Sequence, residues 1–118
     1  MHKKSNIVKA ILFDFDGTLA DTSLDMINSL NVVLKRNKYE KVKHFECKDY
    51  VSKGANGVVG YASIINCISD NDIKNNLKKD FLKQYSLNPC QETFLFEGIK
   101  ELIIFIMQNN LKWGIVTN

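Results

Sequence analysis

The sequence predicts an α/β protein whose parallel-sheet core is interrupted, after its first strand, by a long helical insertion. Two apolar runs and the distance between them carry this reading. Ile7, Val8, Ala10, Ile11, Leu12 and Phe13 form a run broken only by Lys9, and Leu111, Trp113, Ile115 and Val116 form another. Such runs read as strands buried on both faces of a parallel sheet. A parallel crossover needs only about a dozen residues or more, usually one helix. The stretch between these runs is several times longer and shows helical spacing and caps without strand alternation, so it holds an inserted helical unit.

Residues 1–21 comprise a polar lead-in, the first strand and the loop after it. Thr22 or Ser23 caps a first helix in which Leu24, Ile27, Leu30, Val33 and Leu34 recur at helical spacing. A basic, hinge-like stretch at 35–43 follows. Phe45, Tyr50 and Val51 mark a short second helix ending at Lys53-Gly54, and 57–68 reads as a third. Ser69 or Asp70 caps a fourth, which continues through Leu77, Phe81, Leu82 and Tyr85 toward Asn88-Pro89. These helices fill a unit spanning 22–92. Residues 93–118 return to the core: Gly98 enters a helix at 99–109, Asn109-Asn110 turns the chain, and the second strand ends in Thr117-Asn118.

The chemistry gathers where the first apolar run breaks. Side chains at i and i+2 share a side of an extended chain, so Asp14 and Asp16 emerge together near the strand's carboxyl end, the edge at which open α/β sheets bind ligands. Gly17 permits a sharp turn behind them. An Asp-x-Asp-Gly string by itself is commonly a surface turn. It is not a calcium loop, which needs glycine at the sixth position and glutamate at the twelfth; counted from Asp14, glycine stands fourth and the twelfth residue is Asp25. The buried strand before the string and the Thr-Leu-Ala-Asp-Thr after it set it apart from an ordinary turn. Thr117-Asn118, taken alone, is ordinary turn chemistry. Within the insertion, Val51-Ser52-Lys53-Gly54-Ala55-Asn56-Gly57 carries two glycines that permit a tight loop and close approach to a ligand.

The string Ile11-Leu12-Phe13-Asp14-Phe15-Asp16-Gly17-Thr18-Leu19-Ala20-Asp21-Thr22 resembles the first motif of the haloacid dehalogenase (HAD) superfamily. The resemblance implies a HAD-like, Rossmann-type core, represented here by its first two strands, with the α-helical cap of the phosphoglycolate-phosphatase-like branch closing over the site. It further implies a magnesium-dependent phosphatase that hydrolyses a small phosphorylated metabolite, with Asp14 as nucleophile and Asp16 as general acid and base. Mg2+ would contact the Asp14 side chain and the Asp16 carbonyl. Thr18 would lock the turn, and the Thr117 hydroxyl with the N–H of Asn118 would hold phosphate. The cap loop at Lys53 and Gly54 would read the remainder of the substrate, Lys53 meeting a carboxylate; an ordinary turn with a solvated lysine is the competing reading.

Three strings resemble the group of that family containing phosphoglycolate phosphatases and N-acetylmuramic acid 6-phosphate phosphatases: Val51-Ser52-Lys53-Gly54-Ala55, Leu95-Phe96-Glu97-Gly98 and Lys112-Trp113-Gly114-Ile115-Val116-Thr117-Asn118. They leave open whether 2-phosphoglycolate or the amino sugar phosphate is the substrate, since both carry a carboxylate. The family's downstream lysine and acidic metal ligands have no counterpart here, so the chain reads as the N-terminal part of a longer phosphatase. Dehalogenases of the family lack the second acid, and mutase-like members usually carry an aliphatic residue where Thr18 stands. A non-catalytic binding piece is the third class, should these residues be the whole product.

Composition places the chain among cytoplasmic globular proteins, with 45% hydrophobic and 25% charged residues. The net charge of +3 on scattered lysines argues against nucleic acid. The longest wholly apolar helical run, 102–107, is far short of a membrane span, and 1–6 lacks a signal peptide's apolar region. Cys47, Cys67 and Cys90 match neither a disulfide framework nor a zinc site and read as reduced thiols. His2 and His44 lie in polar surroundings and are not expected to bind metal. The oligomeric state is left open.

Overall fold

The computed structural model describes residues 7–117. Strand β1 (Ala10–Asp14) pairs in parallel with β4 (Lys112–Val116), Ala10 opposite Lys112 and Asp14 opposite Val116. Between them lie β2 (Ala20–Asp21), α1 (Ser23–Arg36), α2 (His44–Cys47), a 3-10 helix (Lys48–Lys53), α3 (Gly54–Ile65), α4 (Asn71–Leu87), β3 (Phe94–Leu95) and α5 (Ile99–Gln108). The α/β architecture with a helical insertion is as the sequence predicts.

Helices α1, α3 and α4 enclose the main core. Met26, Ile27, Leu30, Val33 and Leu34 from α1 meet Val58, Val59 and Ala62 from α3 and Leu77 and Phe81 from α4, and Cys47 and Val51 belong to the same cluster. Each fully buried side chain of this size stabilises the fold by roughly 1.5–3 kcal/mol relative to exposure. Asp70 caps α4, its carboxylate accepting from the N–H groups of Asp72 and Ile73.

The connections into and out of this helical region run side by side. Strands β2 and β3 pair antiparallel, Ala20 opposite Leu95 and Asp21 opposite Phe94. Buried Asp25, in the first turn of α1, accepts from the Glu92 N–H at 3.0 Å and from the Thr93 hydroxyl at 2.6 Å. A carboxylate there also faces the positive end of the helix dipole. The chain leaving α4 is thus fastened to the start of α1.

Three expectations are corrected. The first strand begins at Ala10 rather than Ile7, and it is not buried on both faces: Leu12 is 70% exposed, because the sheet contains only β1 and β4 among the described residues. The third helix starts at Gly54 rather than Gly57 and stops at Ile65. Gly57 therefore lies inside α3, and its missing side chain accommodates the 3-10 helix rather than a ligand: an added Cβ would fall 2.4 Å from the Tyr50 carbonyl oxygen and 2.6 Å from Lys53 Cβ. Thr22 occupies the position before α1 without capping it. The Ser23 N–H goes instead to the Asp21 carboxylate at 3.0 Å.

Candidate active site

The loop after β1 is wound around a single acceptor. The Phe15 carbonyl oxygen takes the N–H groups of Thr18, Leu19 and Ala20 at 3.1, 3.1 and 3.2 Å, while Gly17 N–H donates to the Ala20 carbonyl at 2.9 Å. Gly17 adopts φ 78°, a left-handed conformation that a side chain would strain. This winding turns the chain back on itself just after Asp14, and Leu19 and Ala20 anchor it in the interior, each 1% exposed.

Each carboxylate is held by a threonine further along the same loop. Thr18 Oγ1 donates to Asp14 Oδ2 at 3.0 Å, and Thr22 Oγ1 donates to Asp16 Oδ1 at 2.8 Å. Asp14 is exposed and Asp16 half-buried. The β1–β4 register sets Val116 opposite Asp14, so Thr117, the next residue, leaves the sheet at the end where the carboxylates stand. Asn118 lies outside the described residues.

Asp16, Lys53 and Gly54 line one cavity of 420 Å³ between the loop and the helical region, with Met26, Asn56, Lys78, Phe81, Leu82 and Tyr85 completing most of its wall. Gly54 turns the chain at φ 68°, ending the 3-10 helix and opening α3, which sets Lys53 at the rim. The Lys53 ammonium also lies 5.6 Å from the centroid of the Tyr50 ring, a cation–π distance. Burial pushes the Tyr85 hydroxyl's pKa up, and the charges of Asp16 and Asp25 add to the shift, so Tyr85 stays a neutral phenol able to donate.

The sequence reading did not single out Thr22 as the partner of Asp16, nor Lys78 and Tyr85 for this cavity. Thr22 looked like a helix cap because threonine before a helix usually is one. Lys78 and Tyr85 carried a usable signal: with Phe81 and Leu82 they recur at i, i+3, i+4 and i+7, so one face of α4 carries all of them.

A second cluster joins the entry of α1 to α2. Asp21 accepts from the Ser23 hydroxyl, whose oxygen lies 2.8 Å from His44 Nε2. The serine proton is spent on Asp21, so the His44 contact requires a proton on Nε2. The Ser23 hydrogen bonds hold the Asp21 carboxyl below its ordinary range, with the charges of His44 and Lys48 acting in the same direction.

Residues 11–118 match the family described as haloacid dehalogenase-like hydrolase. The chain is 34% identical over 111 residues to an N-acetylmuramic acid 6-phosphate phosphatase of Pseudomonas putida, covering 94% of this chain and 49% of that protein. It is 31% identical over 112 residues to a phosphoglycolate phosphatase of Xanthomonas campestris pv. campestris, covering 93% of this chain and 48% of the other. The fold superposes on the crystal structure of a predicted phosphoglycolate phosphatase from Haemophilus somnus 129pt with a TM-score of 0.81 at 25% identity, over 94% of this chain and 52% of that one. The chain spans about half the length of the curated relatives it matches. With the family match running from the second residue of β1 to the last residue, the chain belongs to the haloacid dehalogenase-like hydrolases.

Proposed function

We propose that this chain supplies the nucleophile and the cap of a magnesium-dependent phosphatase acting on a small, carboxylate-bearing phosphomonoester such as 2-phosphoglycolate or N-acetylmuramic acid 6-phosphate. The observation that carries the proposal is the Asp14/Asp16 pair, each carboxylate tied by one oxygen to a threonine hydroxyl. Thr18 occupies one oxygen of Asp14, leaving the other free to attack phosphorus as the bond to the leaving oxygen breaks. Thr22 donates to Asp16 Oδ1, so a catalytic proton belongs on Oδ2, from which it passes to the departing alkoxide. Asp16 then takes a proton from water, the water oxygen attacks the aspartyl-phosphate, and Asp14 is regenerated with release of inorganic phosphate.

Residues 22–92 act as the cap in this reading, and Thr117 with Asn118 steadies the phosphate. The donor set suits magnesium, since the Asp14 carboxylate and the Asp16 carbonyl are hard oxygens. Among the described residues no three His, Cys, Asp or Glu side chains come together as a metal site. When bound, magnesium neutralises phosphate charge and holds the phosphoryl group against the nucleophile.

The test is hydrolysis of p-nitrophenyl phosphate by the full-length protein with and without magnesium, and by Asp14→Asn. Activity is expected only with magnesium, and the substitution should reduce it to background. Undiminished turnover by Asp14→Asn would sink the assignment.

A further inference from the structure

Thr22 is bracketed by two members of a hydrogen-bonded chain. Asp21 precedes it and Ser23 follows it, and both the N–H and the hydroxyl of Ser23 donate to Asp21 Oδ1. The chain continues to His44, the first residue of α2, whose Nε2 lies 2.8 Å from Ser23 Oγ. Asp21 is itself fixed in β2, opposite Phe94. The chain has one direction. The Ser23 hydrogen bonds hold the Asp21 carboxyl below its ordinary range, so it is an ionised group that only accepts. The Ser23 proton therefore points to Asp21, and the Ser23 oxygen takes a hydrogen bond from His44 Nε2–H. Bonds aligned donor to acceptor in this way polarise and strengthen one another. Ser23 is 4% exposed, so without His44 its oxygen would lose a donor that water replaces poorly.

We infer that His44 is a positioning residue for the acid and base step: through Ser23 and Asp21 it fixes the backbone on both sides of Thr22, and so holds the Thr22 hydroxyl 2.8 Å from Asp16 Oδ1. The inference rests on the proposed role of Asp16 and adds to it a residue that does not touch Asp16. Such positioning matters because Thr22 has a competing contact. Its hydroxyl also lies 3.6 Å from Met26 Sδ, one turn into α1. A small rotation of the backbone at 21–23 would exchange the carboxylate for that sulfur, a weak acceptor. Asp21 and Ser23 are near neighbours in sequence and move together, whereas His44 anchors them from a separate element, 21 positions beyond Ser23. What residue 44 must supply is a donor at the Nε2 position. A positive charge is not required, since the neutral ring with its proton on Nε2 donates as well.

The experiment measures kcat and KM of the full-length protein on p-nitrophenyl phosphate and on whichever of 2-phosphoglycolate and N-acetylmuramic acid 6-phosphate it turns over faster. His44→Leu should lower kcat on the alkyl phosphate about threefold to tenfold, the factor carried by one hydrogen bond. It should leave kcat on the aryl phosphate, which needs no proton on its leaving group, and both KM values within about twofold. The retained aryl activity shows that the variant is folded. Ser23→Ala, which breaks the chain at its middle, should give the same split. His44→Gln, whose amide N–H replaces the ring donor, should restore the alkyl rate. Equal losses on both substrates, no loss on either, or a His44→Gln protein as impaired as His44→Leu would overturn the inference. Asp16→Asn separates these outcomes from failure of the reading beneath them. Equal losses in Asp16→Asn would remove the acid role and the inference together, whereas an alkyl-selective loss there without one in His44→Leu would remove the role of His44 alone.

Discussion

Thr22 is 1% exposed; its hydroxyl donates to Asp16, and its oxygen accepts no N–H from the first turn of the helix that begins beside it. A buried hydroxyl needs a partner, and the winding around Phe15 brings the Asp16 carboxylate within reach. Thr22→Val keeps the shape and removes the donor, leaving Asp16 Oδ1 without it at a cost of about 1–3 kcal/mol. In the full-length protein, the proposed mechanism expects Thr22→Val to lower kcat on alkyl phosphates more than on p-nitrophenyl phosphate, because only poor leaving groups need a proton from Asp16. Asp16→Asn should show the same asymmetry more strongly, and Thr22→Ser should restore activity. Equal losses on both substrate types would show that neither residue serves proton transfer. The sequence makes the carboxylate pair legible because i, i+2 spacing at a strand end is a local fact. It hides the role of Thr22, whose partner is decided by the path of the loop.

At the scale of elements, the helices are legible wherever an apolar stripe coincides with a cap, as in α4 with Asp70 and the stripe through Leu77 and Phe81. Two-residue strands such as β2 and β3 are too short for any alternation to register. The start of α3 is misread for a different reason. Two glycines in one short segment suggest a loop, yet Gly54 provides the positive φ that ends the 3-10 helix, and Gly57 provides the space for that helix to pack against α3. Gly57→Ala should thus destabilise the helical region by about 1–3 kcal/mol, the usual range for forcing an atom into a packed contact. Gly60→Ala, in the same helix with nothing within 4 Å of its added Cβ, should stabilise by up to about 1 kcal/mol through helix propensity. Urea unfolding of both variants provides the check. Equal and small shifts would mean that the 3-10 helix is not packed on Gly57. Because Lys53 packs against Gly57 and lines the cavity, Gly57→Ala should also weaken substrate binding under the proposed function.

For the whole molecule, the two regions differ in how well their apolar surface is covered. The helical region buries its core, with Leu30, Val33, Leu34, Val58 and Phe81 all 0% exposed. The sheet region does not: Leu12, Phe105, Ile115 and Val116 are exposed, and Ile106 is the one buried side chain of α5. A radius of gyration of 18.2 Å exceeds the ~13.5 Å of a compact chain of this length. Two strands with a single α5 cannot enclose both faces of a parallel sheet, and the relatives matched here are about twice as long. The 118-residue chain expressed alone should therefore bind an apolar-surface dye strongly and show no magnesium-dependent hydrolysis of p-nitrophenyl phosphate. It should still show helical circular dichroism, with a broad unfolding transition from α1, α3 and α4. A protein extended to the length of its relatives should lose the dye binding, gain activity and unfold cooperatively. Comparable activity and a sharp transition in the 118-residue chain would overturn this expectation. Such a result would mean that Asp14 and Asp16, with whatever oxygens lie near them in this chain, suffice to hold magnesium.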